Sequence, residues 1–448
     1  MGALIATQIF TEIAMNHRHT QGANQPALAF LALMLAVALG CAHAAPTEPG
    51  DAQLQRLIAE ATRNNPEIRA AANERLAAQH RVSPAGALDD PMLEAGLINA
   101  PLPNVRSNRE DMTMKMLGLS QRFPFPGKRD LRQSVAAHDA ESVAYAYQET
   151  VNRVVRDVRT TYFDIAYIAE SARQVEKNKH NLGQFLRISE SRYAVGQGTQ
   201  ADVLKAQTQL SKMADELLKL TRERQAMEAE LARALGRGAE AGEAPVPAAL
   251  ALHEAALRLE TLREAALHNR PQLRGLRSLI ERNGKTLDLA RSDYYPDFDV
   301  KVAYGQRDKT ADGMRRDDML SFTVAINLPI WRETKRDPRV AEAVAMRDQA
   351  MEMYQAQVNE LHSKLRQQVA SAEQGLRSAR LYETAILPQA RLALESSLAA
   401  YRVNRTDFLS LLDSQMTVLN FEVAYAAALA GYNKALAEID LLTGEARF

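Results

Sequence analysis

A single stretch sets the architecture of this chain: Tyr193-Ala-Val-Gly-Gln-Gly-Thr-Gln-Ala-Asp-Val-Leu-Lys-Ala-Gln207. It returns in outline as Tyr401-Arg-Val-Asn-Arg-Thr-Asp-Phe-Leu-Ser-Leu-Leu-Asp-Ser-Gln415, with Asn404 in the place of Gly196. Both stretches lie between long helical patterns, and glycine and asparagine are the residues that most readily adopt a left-handed backbone. The same sharp turn between helices is therefore predicted twice, which indicates a duplicated element.

The duplication extends over nearly the whole chain. The motif Asn-x-Pro occurs at residues 64–66 and again, 205 positions later, at 269–271. The two turn motifs are 208 positions apart, and so are Gly236 and Gly444. A period this long indicates a duplicated domain rather than a solenoid repeat. We therefore predict a first repeat over residues 45–240, a linker over 241–253 and a second repeat over 254–448.

The N-terminus has the pattern of a secretory signal. Residues 17–19 are basic and precede an apolar run from Ala27 to Leu39, and Ala42-His43-Ala44 then supplies a small-x-small cleavage site. Cleavage after Ala44 makes residues 1–44 a signal peptide. In an alternative interpretation, Gly40-Cys41 makes Cys41 a lipid anchor. Both interpretations take the protein out of the cytoplasm.

Composition excludes several classes of protein. The 448 residues carry equal numbers of basic and acidic side chains, which argues against nucleic-acid binding because that function needs a basic face. A single cysteine excludes a disulfide framework and a cysteine-based zinc site. The histidines form no cluster with ligand spacing, and no nucleophile elbow, phosphate loop or paired-carboxylate motif is present. The sequence therefore predicts no enzyme, no cofactor and no resident metal.

Four segments are predicted to be β-strands: residues 92–98, 112–123, 298–306 and 319–328. Each is about ten residues long, which is the length of a tilted strand that crosses a bilayer in a barrel. In the second segment Met112, Met114 and Met116 alternate with Thr113 and Lys115, so an apolar face is predicted to contact lipid. In an alternative, these thioethers are soft ligands for Cu(I) or Ag(I).

The remaining segments are predicted to be helices. Residues 54–82 form a helix that breaks at Pro66, and residues 131–193 form a second one, irregular near Gly183 and roughly 90–95 Å long. The return helix spans residues 199–235. The second repeat follows the same plan, with a helix over 257–292 and long helices from residue 338, the first of them kinked at Pro388.

The return helix has a strict heptad pattern. Its apolar positions are spaced alternately by four and three residues, a pattern typical of left-handed coiled-coil packing. The seam consists of Ala206, Leu210, Met213, Leu217, Leu220, Arg224, Met227, Leu231 and Ala234. Only Arg224 interrupts the apolar seam, and the same register recurs 208 positions later. We therefore expect the helices to pack as a coiled coil.

Four strands cannot close a barrel, because closure needs about eight or more. An open sheet edge cannot remain in lipid, since its backbone groups would be unpaired. The chain must therefore form oligomers if its strands are membranous, and three chains would supply about twelve strands. The helices are too polar to span a bilayer and are expected to extend from the barrel as a coiled-coil tube. A barrel continued by a helical tube is a conduit.

This order of elements resembles the TolC-like outer-membrane efflux proteins, from about Leu54 to Gly444. The duplicated Tyr-x-Val-Gly, followed by Gln207 or Gln415, carries the resemblance. It implies a mainly α fold with a membrane β-barrel portion: a homotrimer with a twelve-stranded barrel in the outer membrane of a Gram-negative cell and a periplasmic α-helical tunnel. It also implies a periplasmic adaptor and an inner-membrane efflux pump of the RND type. Phe123-Pro-Phe-Pro-Gly-Lys-Arg129 is similar to the Gly-Lys-Arg signature of the cation-efflux branch.

The resemblance also implies site residues at the periplasmic end. The two helix–turn–helix tips would contact the adaptor; they consist of Val195, Gly196, Gln197, Gly198 and Thr199, and of Val403, Asn404, Arg405 and Thr406. In an alternative, Gly196 and Asn404 only shape the turns.

The resemblance further implies acidic residues at the periplasmic aperture. Family members carry these acids nine and twelve residues after the second tyrosine; here Asp413 fits and Ser410 departs, and Asp202 stands at the first position in the other repeat. Three copies of Asp413 would attract cations at the pore mouth. In the alternative, Asp413 is a solvated surface residue.

Three functions compete at this point. The first is a passive exit duct, driven by the inner-membrane pump, with metal cations as candidate cargo. The second is a non-conducting structural coiled-coil protein of the envelope, which leaves the four membrane-length strands and the two tips without a role. The third is a secreted enzyme, for which the sequence offers no reactive constellation.

Overall fold

A duplicated unit of helices and strands makes up the fold. The computed structural model describes residues 49–102, 105–108, 110–238, 250, 252 and 254–445. The predicted signal peptide, Cys41 and most of the predicted linker lie outside these residues. None of the described helices is long and apolar enough to cross a membrane.

Each half of the chain contains a helix pair, two strands and a pair of long helices. The first half consists of α1 (Pro49–Asn64), α2 (Pro66–Ala85), β1 (Met92–Ile98), β2 (Met114–Phe123), α3 (Lys128–Ala194) and α4 (Gln200–Leu235). The second half consists of α5 (Leu259–Asn269), α6 (Pro271–Ser292), β3 (Phe298–Gln306), β4 (Met319–Ile326), α7 (Asp337–Leu381), α8 (Leu387–Arg402) and α9 (Phe408–Thr443). A π-helical turn, Arg332–Arg336, precedes α7, and another, Tyr382–Ile386, joins α7 to α8.

Most predicted helix boundaries lie within a few residues of the observed ones. The break at Pro66 is confirmed, because the Asn65 side chain caps α2 by accepting the N–H groups of Glu67 and Ile68. The irregularity predicted near Gly183 is wrong: α3 is one continuous helix of 67 residues. Near the predicted kink at Pro388, the π-helical turn interrupts the helix just before the proline, whose ring nitrogen has no hydrogen to donate to the preceding turn.

Two hydrophobic clusters occupy equivalent places in the two halves. Leu57, Ala61 and Ile68 in the first cluster recur 205 positions later in the second as Leu262, Ala266 and Leu273. On the long helices, the equivalent positions of the two clusters are 207 residues apart. Leu361, Leu365, Val369 and Ala372 of the second cluster correspond to Val154, Val158, Tyr162 and Ile165 of the first. The distance in sequence between equivalent residues of the two halves becomes 208 only after the π-helical turn Tyr382–Ile386. A π-helical turn adds one residue without ending a helix, so it accounts for that last step.

Gly236 and Gly444 end the return helices α4 and α9 in equivalent contacts. Both have a left-handed backbone, with φ of 71° and 73°. A Cβ atom on Gly236 would lie 2.6 Å from the carbonyl oxygen of Asn64, and one on Gly444 would lie 2.7 Å from that of Asn269. In each half, the end of the return helix therefore packs directly on the backbone turn inside the first helix pair.

The four strands form one antiparallel sheet in the order β1-β2-β3-β4. Cross-strand pairing places a continuous apolar surface on one face of the sheet. That face carries Leu93, Leu97, Leu117, Leu119, Val302, Tyr304, Leu320, Phe322, Val324 and Ile326, all of them exposed. The opposite face carries polar residues, including Ser120, Thr323 and the ion pair between Glu94 and Lys301. Exposed apolar surface of this extent is typical of contact with lipid.

The predicted lipid face of the second strand is wrong. Met112 lies in a turn before β2, and Met114 and Met116 lie on the polar face of the sheet. Leu117 and Leu119 occupy the apolar face instead. Residues 114–119 read Met-Lys-Met-Leu-Gly-Leu, which places apolar side chains on both faces, so three alternating methionines were too short a pattern to decide between them.

The segment Gly127-Lys128-Arg129 connects the sheet to the helices. Gly127 has a left-handed backbone, φ 88°, and Arg129 donates to the carbonyl oxygen of Gly86 at 2.8 Å. The buried Lys128 Nζ donates to Asp297 Oδ1 at 2.9 Å and to the Tyr295 carbonyl at 3.2 Å. Burial acts to raise the pKa of Asp297, but hydrogen bonds from Lys128 and from the Phe125 N–H outweigh it, and the pKa lies below its ordinary value.

We predict that Gly444→Ala and Gly236→Ala each lower the free energy of unfolding by about 1–3 kcal/mol. The new methyl group would meet a carbonyl oxygen, and alanine would have to adopt the left-handed backbone of these positions. Thermal unfolding followed by circular dichroism measures the effect. Gly284→Ala in α6 is the matched control, since nothing lies within 4 Å of its Cβ position. Equal stability of the Gly444→Ala protein and the control would contradict the packing described.

We predict that Lys128→Met lowers the free energy of unfolding at pH 7 by about 3–5 kcal/mol, because it leaves the Asp297 carboxylate buried without its main partner. The depressed pKa of Asp297 stabilises the fold above the ordinary carboxyl pKa, and this contribution is lost as pH falls through the folded value. The difference between the variant and the native chain should therefore shrink in acid.

Melting temperatures measured between pH 7 and pH 3 check this. The control is Lys219→Met, whose pair with Asp215 joins side chains that are 56% and 62% exposed, so its removal changes little. A Lys128→Met penalty that stays constant with pH would show that the Asp297 charge is not its cause.

Candidate functional site

The two predicted tips are tight turns with matching geometry. Helix α3 ends at Ala194, and Gly196 has φ 75°. Helix α8 ends at Arg402, and Asn404 has φ 60°. The prediction that both residues adopt a left-handed backbone is confirmed. Asparagine is one of the few non-glycine residues that tolerate this conformation, so Asn404 can form the same turn as Gly196.

Side chains cap the helices that leave both tips. Thr199 accepts the Asp202 N–H at 3.2 Å, and the Asp202 carboxylate accepts the Thr199 N–H at 3.3 Å, which completes a capping box at the start of α4. In the second tip, Asp407 caps α9 by accepting the Ser410 N–H at 2.8 Å. Each turn is thereby held between a left-handed residue and a capped helix.

The tips carry exposed apolar side chains. Val195 and Val403 occupy equivalent positions and are 67% and 62% exposed. Gln197, Thr199 and Arg405 around them are exposed as well. A valine left this open at the end of a long polar helix pair gains nothing from folding. Such exposed apolar groups are typical of a surface that contacts another protein.

Arg192 joins the two tips. Its Nη1 donates to the Tyr401 carbonyl at 2.9 Å, and its guanidinium lies 4.5 Å from the centre of the Tyr401 ring. The Ser189 hydroxyl lies 3.3 Å from the Tyr401 hydroxyl. Tyr401 is therefore 5% exposed, whereas its counterpart Tyr193 is 49% exposed. Sequence analysis missed Arg192 because Ala400 stands at the equivalent position, so the duplication does not reveal it.

The proposed aperture residues lie in different settings. Asp202 belongs to the capping box, and the Ser410 N–H is bonded to Asp407. Asp413 is exposed in the first turns of α9. Sequence analysis missed Asp407, although an aspartate three residues before the N3 position of a helix is a recognisable cap. Hydrogen bonds from the Ser410 hydroxyl and N–H, with a smaller effect of Lys205, lower the pKa of Asp407. It is therefore a second carboxylate at this tip.

Helix α9 is enclosed, whereas its counterpart α4 is open on one side. Ion pairs hold α9 against α3 within the chain, among them Lys434–Asp164 at 2.7 Å and Lys177–Glu422 at 3.2 Å. Ala426 of α9 is 1% exposed, but Leu218, at the equivalent place on α4, is 71% exposed. Gln415 is 1% exposed, whereas its counterpart Gln207 is exposed. Helix α4 therefore has a free face where α9 has a neighbour.

A groove on α7 is the matching open surface. It has a volume of about 510 Å³ and is lined by Arg263, His362, Ser363, Arg366, Gln367 and Ala370. Three residues of this groove, His362, Ser363 and Arg366, are equivalent to Val155, Arg156 and Arg159 of α3, 207 positions earlier. On α3 those residues are covered by the end of α9, with Ala437 and Asp440 beside them. The His362 Nε2 atom has no hydrogen-bond partner in the groove.

No metal centre is evident in the part of the chain that the structure describes: no group of three or more histidine, cysteine, aspartate or glutamate residues there could hold an ion. The described surfaces are suited to contact with lipid or with other protein. They offer an apolar sheet face, a polar sheet face, and two exposed tips at the far end of helices that are up to 67 residues long.

Comparison with known proteins identifies one family, described as outer membrane efflux protein, which matches residues 57–237 and 262–445. The chain is 24% identical over 369 residues to the cobalt-zinc-cadmium resistance protein CzcC of Cupriavidus metallidurans, covering 78% of this chain and 84% of that protein.

Solved structures show the same fold. The outer membrane protein VceC of Vibrio cholerae superposes with a TM-score of 0.74 at 19% identity, over 88% of this chain and 96% of VceC. CusC, whose structures concern transmembrane channel formation, superposes with a TM-score of 0.75 at 15% identity, over 88% of this chain and 92% of CusC. The described fold is thus shared with these outer-membrane proteins.

Proposed function

The chain belongs to the outer membrane efflux protein family, and from this premise we propose that it exports metal cations as the exit duct of a tripartite efflux system. As a family member it is an outer-membrane channel with a periplasmic helical tunnel, and it works with an adaptor and an inner-membrane pump. Family membership favours the duct over a non-conducting coiled-coil protein and over a secreted enzyme. The duct is passive, because the pump supplies the energy.

The observation that carries the metal cargo is the likeness to a cobalt-zinc-cadmium resistance protein over 78% of the chain. The Gly127-Lys128-Arg129 segment supports it as a signature similar to that of the cation-efflux branch. Divalent cations passing outward would meet carboxylates at the periplasmic end, where Asp407 and Asp413 lie. Three copies of these acids around one opening would raise the local cation concentration there. An RND-type pump is the inner-membrane partner that we propose.

The tips are the proposed adaptor-docking surface. Val195 and Val403 supply the apolar contact, and the flanking residues Gly196, Gln197, Gly198, Thr199, Asn404, Arg405 and Thr406 hold the turns or form the polar rim. The turns are rigid, since each is fixed by a left-handed residue and a helix cap. A rigid surface loses little entropy when it binds, which supports docking by these small turns. Asp413, Ser410 and Asp202 then stand just behind the docking surface, as the proposed aperture.

We predict that cells carrying the chain and its cognate adaptor and pump accumulate several-fold less cobalt, zinc or cadmium than cells without the chain. The double variant Val195→Asp/Val403→Asp should lose that protection, because charges on the tips oppose an apolar contact. Cell-associated metal measured by mass spectrometry gives the result. The control Lys219→Met is exposed on α4, away from the tips, and should export normally. Unchanged metal levels, with sensitivity to organic compounds instead, would overturn the metal cargo.

The homotrimer is supported by the free edges and faces of the chain. β1 and β4 each pair on one side only among the described strands. The free face of α4 and the groove on α7 are counterparts of two surfaces that already contact each other within the chain, on α9 and α3. A second copy that places its α4 against α7 and α8 would repeat the internal contact between subunits. Three copies arranged in this way close a ring of six similar repeats.

The internal contact also predicts which residues meet across subunits. Tyr401 contacts Ser189 within the chain, and their counterparts 208 positions away are Tyr193 and Ser397. The half-exposed Tyr193 of one subunit should therefore lie against Ser397 of the next. Ala400 stands in the place of Arg192 at this second contact, so the proposed contact between subunits lacks the hydrogen bond that Arg192 makes within the chain. That difference would make the subunit seam the weaker of the two.

We predict that the variant Tyr193→Cys/Ser397→Cys, treated with a short bismaleimide, yields covalent dimers and trimers on a denaturing gel. The matched control is Ser189→Cys/Tyr401→Cys, whose cross-link stays within one chain and leaves the band at monomer size. Cys41 interferes in neither case, because cleavage would remove it and lipidation would block its thiol. A native trimer by light scattering that gives no intermolecular product would contradict the proposed contact, and a native monomer would contradict the homotrimer itself.

A further inference from the structure

Three methionines of the sheet surround one glycine. Met116 on β2 and Met319 on β4 are the direct cross-strand neighbours of Gly305 on β3, one on each side. The sulfur of Met114, the first residue of β2, lies 2.5 Å from the position that a Cβ atom on Gly305 would occupy. Met114 therefore already lies over Gly305, in space that any larger residue would fill.

The glycine lets the other two side chains approach the same place. Neighbouring strands are about 4.8 Å apart, so the backbones of Met116 and Met319 are about 9.6 Å apart with no side chain between them. A methionine has three rotatable bonds and an adaptable shape, so both thioethers can reach over the gap toward Met114. Met319 is 38% exposed, and Met114 and Met116 are partly buried. The Met114 sulfur thus lies over the glycine, and Met116 and Met319 flank it on the same face of the sheet without being fully buried.

All three methionines lie on the polar face of the sheet. This is the face that carries Ser120, Thr323 and the Glu94–Lys301 pair, opposite the leucine-rich surface. In the duct proposed above, the apolar surface contacts lipid and the polar face lines the lumen. The methionines stand at the starts of β2 and β4, at the end of the sheet away from the long helices. Cargo leaving the duct would pass them last.

We propose that Met114, Met116 and Met319 form a binding site for a soft monovalent cation, Cu(I) or Ag(I), in the lumen near the exit; its place in the lumen rests on the proposed function. Thioethers are soft ligands and select such ions, whereas Mg²⁺, Ca²⁺ and Mn²⁺ prefer oxygen. The site has no anionic ligand, so it binds weakly and exchanges its ion. A weak site is what a conducting path needs, because an ion must enter it and leave again.

Ligand chemistry distinguishes this site from others on the chain. A thioether does not take up a proton in the range in which histidine and carboxylate ligands do, so binding to the three sulfurs should not change between pH 7 and pH 5. Binding at histidine should weaken over the same interval, because its ordinary pKa is near 6.5. A silver affinity that does not change with pH is therefore expected of the methionine site. Methionines that only pack over the glycine would bind no silver.

Silver titration of the purified, full-length protein in chloride-free detergent buffer tests the proposal. Calorimetry with silver nitrate should reveal a site, one per chain, whose affinity is the same at pH 7 and pH 5. Met116→Leu/Met319→Leu keeps the side-chain volume and should weaken this site at least tenfold. Gly305→Ala should weaken it too, because its methyl group displaces the Met114 sulfur.

The control is Met351→Leu/Met353→Leu, which removes two methionines that are 51% and 48% exposed on α7 and should leave the site intact. Native mass shows that each variant still assembles. Equal silver binding by the native chain and by Met116→Leu/Met319→Leu would overturn the proposal, as would equal losses in both leucine pairs. Because the titration uses purified protein, its outcome is separate from the test of cobalt, zinc or cadmium export: silver binding by a chain that fails that test leaves the site standing.

Discussion

The backbone groups of the sheet must be paired, and this requirement limits how the whole chain can be arranged. One face of the four-stranded sheet is a continuous apolar surface, and β1 and β4 are its edges. In lipid each unpaired edge N–H or C=O group costs several kcal/mol, because no water is there to bond it. In the proposed homotrimer, further copies of the chain would supply the missing partners of both edges. The free face of α4 and the groove on α7 are consistent with the same requirement.

The duplication places the same packing contacts in both halves of the chain. The cores of the two halves share their positions, and Gly236 and Gly444 close each half by the same approach to a backbone carbonyl. The two repeats differ most in how far their return helices are covered within the chain. Helix α9, which packs against other helices of its own chain, carries apolar residues on most of its faces, whereas α4 kept one open, polar face. Arg192 clamps the seam within the chain and has no counterpart for the seam between chains.

Sequence alone predicted the elements with strong local signals. Two strands have the predicted bounds, and the turns at Gly196 and Asn404 have the predicted backbone, because residue type alone limits those conformations. The facing of β2 was wrong, since its apolar residues lie on both faces and only the pairing with β3 decides between them. Asp407 and Arg192 were missed because a cap and a clamp depend on neighbours in space. The buried bonds of Lys128 to Asp297, distant in sequence, were equally out of reach.

Conductance of the purified protein in a planar bilayer tests whether several chains together enclose a lumen. We predict discrete current steps of uniform size from the native assembly, and none from a boiled sample, because the lumen exists only when several chains close the sheet. Natively folded protein of trimeric mass that inserts into the bilayer and carries no current would overturn the proposed duct, since a closed ring of these strands and helices must enclose a path for ions.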